Sequence, residues 1–100
     1  MIPLSVKLND NKKSLQITYK NEKFLIVSSA FLRACSPSAE NKKNTKNPNR
    51  NLYRNISIKR IESVGNYAIR LVFSDGHNTG IYSWEYLFQV GTMFQNSSDP

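Results

Sequence analysis

Apolar and polar side chains alternate along much of the chain. Over residues 4–8, Leu4, Val6 and Leu8 are separated by Ser5 and Lys7, the period of a half-buried strand. Asn9-Asp10-Asn11 reads as a turn cluster. The period resumes over residues 14–19, with Leu15, Ile17 and Tyr19 on one face. After the polar break Asn21-Glu22, residues 23–27 form a third strand with Phe24 and Ile26 on one side. Short strands joined by brief turns predict an antiparallel meander.

The pattern then changes. Ser28 and Ser29 are both able to cap Ala30-Phe31-Leu32-Arg33-Ala34, which predicts one or two helical turns. Pro37 disfavours helix at Ser36 and sets the end. Residues 38–54 carry almost no apolar side chains, so a mobile loop is expected there. Ile56, Ile58 and Ile61 mark a new strand that ends at the Gly65-Asn66 turn. Residues 67–73 are the strongest strand signal, with Tyr67, Ile69, Leu71 and Phe73 facing one way. Ser74-Asp75-Gly76-His77 predicts a tight turn in which Gly76 adopts the left-handed conformation. Ser83 is the expected N-cap of a helix over residues 84–90, stopped by Gly91. Trp84, Leu87 and Phe88 form its apolar stripe. The expectation is a single α+β two-layer domain over residues 1–94, with antiparallel sheet, a short helix near 29–35 and a helix near 83–90. Residues 95–100 read as a frayed tail.

Composition adds a few limits. One hundred residues suffice for one core but not for two. No apolar run reaches the roughly 20 residues that cross a bilayer, and the N-terminus does not look like a signal peptide. The reading is therefore cytoplasmic, without a membrane partner. A single cysteine, Cys35, rules out an intramolecular disulfide. The net charge of +7 brings nucleic acid into consideration. However, Lys42, Lys43, Lys46, Arg50 and Arg54 fall in one Asn-rich stretch that reads as a solvated loop. Weak nucleic-acid binding through it stays the third choice of function.

Two motifs are specific. One is Phe73-Ser74-Asp75-Gly76-His77 followed by Thr79-Gly80-Ile81-Tyr82-Ser83-Trp84-Glu85-Tyr86-Leu87, and the other is Leu32-Arg33 with Ser36-Pro37-Ser38-Ala39-Glu40. With these, essentially the whole chain resembles the gamma-butyrobetaine hydroxylase-like N-terminal domain family, also catalogued as a domain of unknown function. In the hydroxylases, the resemblance implies, this module precedes an iron- and 2-oxoglutarate-dependent catalytic domain, for which these residues leave no room. It also implies a structural zinc held by Cys-x-Cys-x-x-Cys and a later histidine. Those positions fall on Ser36, Ser38, Asn41 and His77, of which only the histidine is a good zinc ligand. No metal or cofactor is expected, although zinc occurs in relatives. Family members are also associated with P-loop ATPases that carry iron–sulfur clusters, which implies an accessory role in iron–sulfur maturation.

Residue chemistry points the same way. No phosphate-binding glycine loop, Cys-x-x-Cys pair, His-Glu-x-x-His or serine elbow occurs. Cys35 and His77 form a nucleophile and base only if their loops meet, and no flanking signature supports that role. His77 is read first as a structural bond to the Ser36 loop, and second as a metal ligand with Asp75 or Glu85. Arg33 either recognises a partner's acid or pairs with Glu40, Asp75 or Glu85. Trp84 reads as core, whereas Tyr82 and Tyr86 are candidates for an exposed face. The expected function is a non-catalytic binding or adaptor domain with an unidentified protein partner. Its candidate surface is Arg33, Ser36, Ser38, Glu40, Asp75, His77, Tyr82 and Glu85. A metal-binding accessory module using His77 is the alternative.

Overall fold

The computed structural model describes residues 2–37 and 50–96. Its first sheet is an antiparallel meander of β1 (Ser5–Leu8), β2 (Ser14–Thr18) and β3 (Phe24–Ser28). After the short helix α1 (Ser29–Ala34), a second meander follows, made of β4 (Ile58–Val64), β5 (Ala68–Phe73) and β6 (Gly80–Ser83). Helix α2 (Trp84–Asn96) completes the α+β fold.

Alternation explains which faces are buried. Leu15 pairs with Val27 and Ile17 with Leu25, so one face of the first sheet is apolar. Phe24 and Ile26 lie on the opposite face and are exposed, so the core side of β3 is Leu25 and Val27. In β4 the three-residue spacing of Ile58 and Ile61 does not fit a period of two. A register irregularity between Ile58 and Arg60 absorbs the extra residue, and both isoleucines then pair on the face of Phe73 and Leu71. Tyr67 departs from the expected strand. It sits in the turn before β5 and is 62% exposed, while Ile69, Leu71 and Phe73 enter the core. Both sheets and α2 contribute to one apolar cluster that includes Leu15, Val27, Leu71, Phe73, Leu87 and Val90.

Helix caps follow the sequence closely at the starts. Ser28 Oγ accepts from Phe31 N at 3.1 Å, and Ser83 Oγ accepts from Tyr86 N at 3.1 Å. Ser29 takes a different part: buried, it donates from Oγ to Ile56 O at 2.5 Å and ties α1 to the segment entering β4.

One expected element boundary is corrected. Helix α2 does not stop at Gly91 but continues to Asn96. Gly91 is buried, and a Cβ there would lie 2.8 Å from Leu25 Cδ1, so the glycine permits close approach of α2 to β3. Of the loop expected over residues 38–54, residues 38–49 lie outside the described part. Arg50–Tyr53 forms a 3₁₀ turn packed against α1. Residues 97–100 of the expected tail are also outside the described residues, while Gln95 and Asn96 are helical.

Candidate functional site

The β5–β6 hairpin builds one side of the site. Its turn is closed by bonds from Phe73 N to His77 O at 2.9 Å and from Gly76 N to Phe73 O at 3.0 Å. Gly76 has φ of 89°, the conformation expected of it. Asp75 Oδ1 accepts from His77 N at 3.1 Å, which holds the carboxylate beside the histidine backbone.

The end of α1 builds the other side. Arg33 Nε donates to Asp75 Oδ2 at 3.0 Å, and the two side chains are 14% and 26% exposed. The guanidinium carbon also lies over the Tyr53 ring, 4.6 Å from its centre, a cation–π contact. Ser36 Oγ is 2.7 Å from His77 Nε2. Two contacts, the Arg33–Asp75 ion pair and the Ser36–His77 hydrogen bond, therefore clasp the α1 end to the hairpin turn. Glu85 is exposed in the first turn of α2 and forms no ion pair among the described residues. Ser38, Glu40 and Asn41 lie outside those residues.

Beneath this clasp the tyrosines serve the backbone. Tyr82 is fully buried in β6 and its hydroxyl donates to Leu32 O. Tyr86, half-buried, donates to Cys35 O at 2.6 Å. These hydroxyls satisfy carbonyls at the end of α1 that have no partner within the helix. The expected exposed role of Tyr82 is thus overturned: its ring enters the core because β6 alternates, with Gly80 and Tyr82 inward and Ile81 and Ser83 outward. Gly80 lies against Ser36, and a Cβ on it would collide with Ser36 Oγ.

Electrostatics follow the packing. Partial burial pushes the Asp75 carboxyl up, but the His77 N–H and the Arg33 guanidinium together outweigh it and hold the group below the usual carboxylate range. Burial pushes the Cys35 thiol up to about 12 and the Tyr86 phenol up to about 12. Cys35 is therefore a protonated core residue at neutral pH rather than a thiolate nucleophile.

The zinc pattern implied by the resemblance does not fit these residues. Ser36 and His77 do meet, but the pair offers one hydroxyl and one imidazole. Among the described residues, no three of the side chains His, Cys, Asp and Glu gather where they would hold an ion. A hydroxyl in place of a thiolate is a poor zinc ligand, and the serine is already bonded to the histidine.

Tyr53 beneath Arg33, the tyrosine caps and the close approach at Gly80 were not legible in the sequence. Each depends on contacts between segments separated by 20 to 51 residues, for which no local pattern exists.

The fold and site together define a small α+β module whose two motif segments are clasped by side-chain bonds. The chain belongs to the gamma-butyrobetaine hydroxylase-like, N-terminal family, whose model matches residues 6–88. No curated protein matches it significantly. Among solved structures it is similar to a protein of unknown function of the DUF971 family from Acidithiobacillus ferrooxidans. The two are 26% identical over 89% of this chain and 91% of that one, with a TM-score of 0.69. Two proteins with solution NMR structures are similar at 32% and 34% identity. Both cover 95% of this chain, 76% and 75% of their own lengths, and give TM-scores of 0.72 and 0.70.

Proposed function

We propose that this chain is a non-catalytic adaptor domain that presents the clasped end of α1 and the β5–β6 turn to a protein partner. The observation that carries this reading is the pairing of Arg33 with Asp75 and of Ser36 with His77. The polar groups of the two motifs engage one another across the α1 end and the hairpin turn. Asp75 and Glu85 are exposed and His77 is half-buried, so these side chains are available to a partner. Ser36 and Tyr82 are fully buried and act from below. Family association favours an oxidoreductase or an iron–sulfur maturation factor as the partner.

The test is cross-linking in cells followed by mass spectrometry, with wild type compared with Asp75→Lys and His77→Ala. A partner captured by wild type and depleted at least fivefold in both variants supports the reading. Equal capture by all three proteins counts against it. Metal content of untagged protein is read alongside: one equivalent in wild type that is lost in His77→Ala replaces the adaptor with the metal-binding alternative.

A further inference from the structure

The sheets have four edge strands, and three of them carry features that discourage pairing. Strand β4 has a register irregularity and exposes Lys59 and Arg60. Strands β1 and β6 are four residues long, and β1 exposes Lys7. Strand β3 differs. Its sequence Phe-Leu-Ile-Val-Ser has no charge and its register against β2 is regular. No backbone bond leaves its far side to another strand among the described residues.

The outer face of β3 is also apolar. Phe24 is 54% exposed and Ile26 is 46% exposed, side by side at alternate positions. Behind them, the rows Phe24–Thr18–Ser5 and Ile26–Gln16–Lys7 run across the sheet. Both ends of the strand are basic. Lys20 and Lys23 are exposed before Phe24, and Lys12 and Lys13 are exposed beyond Ser28, where Ser29 N bonds to Lys13 O. Residues 1–28 hold five lysines against two acidic residues, Asp10 and Glu22.

We infer that the open edge of β3 takes up an extended acidic protein segment as an added strand. Backbone bonds along β3 supply affinity, as strand addition generally does. Alternate apolar side chains of the segment cover Phe24 and Ile26, and carboxylates at its two ends meet the lysines. A five-residue edge spans about 17 Å, so acids spaced by that length match both basic ends at once. A second copy of this chain fits the edge badly, since each copy carries +7 and brings the same lysines. This inference does not depend on the Arg33–Asp75 surface.

The probe is a synthetic peptide of about ten residues with valine at alternate central positions and two glutamates at each end. It is titrated into isotope-labelled protein and followed by NMR. Amide shifts confined to β3, its neighbours in the sheet and the basic ends, residues 5–7, 12–13, 16–18 and 20–28, are expected. Affinity should fall at least tenfold when lysines replace the peptide's glutamates, and at least tenfold in the Phe24→Thr/Ile26→Thr variant. Threonine keeps strand propensity, and an unchanged unfolding midpoint shows that the variant is folded. The proposal is overturned by no shifts at millimolar peptide, by shifts at residues 75–77 instead, or by equal binding of the lysine peptide. Tighter binding to phosphatidylglycerol vesicles, or self-association that the variant abolishes, overturns it equally.

Discussion

Asp75 is the residue whose charge does most to hold the two motifs together. One carboxylate oxygen accepts from Arg33 and the other from the backbone of His77. Its folded pKa lies below the ordinary value, so its contribution to stability is present above that ordinary value and is lost as pH falls through the folded one. Asp75→Asn keeps an oxygen for His77 N but turns an NH2 toward Arg33, which removes the charge and the acceptor of the Arg33 bond. At pH 7 the variant is expected to be less stable by about 1 kcal/mol, the size of a partly exposed ion pair with its hydrogen bond. The gap between variant and wild type should close as pH falls below the ordinary carboxylate value and through the lowered folded one, as measured by urea unfolding at several pH values. A gap that persists in acid would show that the amide itself disturbs the turn. The motif residues Arg33, Ser36, Asp75 and His77 were legible as a group in the sequence. The bond of His77 to the Ser36 loop was legible as well, but the partner of Arg33 was not, because Arg33 had three acids to choose from and only the hairpin places one of them against it.

Helix α2 shows how an element's length is decided by packing. Gly91 carries the local signal of a helix end, yet the chain continues for five more residues. Val90 is fully buried, and Phe94, packed against the core, meets the Phe31 ring at 5.2 Å, so continuation buries apolar surface that a stop would leave in water. Gly91 lets the helix pass close to Leu25 and Val27 of β3. Gly91→Leu is a fair probe, since leucine favours helix and isolates the packing cost. Thermal or urea unfolding should show a loss of about 2 kcal/mol or more. A neutral or stabilising effect would mean that Leu25 and the helix move apart freely.

For the whole molecule the decisive fact is a single core. The two sheets are separate in hydrogen bonding, but their inner faces meet in one cluster with α2. The bond from Ile58 N to Lys12 O at 2.9 Å further joins the β1–β2 turn to the start of β4. Such a chain should unfold in one step. Trp84, the only tryptophan, is held to the turn before β5 by its Nε1 bond to Asn66 O at 2.8 Å. Its fluorescence midpoint in urea should therefore coincide with the midpoint of the far-ultraviolet circular dichroism signal. Separated midpoints would reveal two independently folding sheets.

The sequence by itself determined the elements and their order, since side chains alternating about a strand or repeating about a helix report burial within a few residues. Caps at Ser28 and Ser83 and the left-handed turn at Gly76 were local in the same sense. It also determined family membership, because its two motifs are long. Only the tertiary structure decided that Tyr82 points inward to a carbonyl, that Gly91 is a contact rather than a stop, that a register irregularity brings Ile58 and Ile61 to one face, and that β3 turns Phe24 and Ile26 to solvent. Each of these follows from what an element meets across the core or at a sheet edge. That information is carried by distant parts of the chain and leaves no periodic trace near the residue itself.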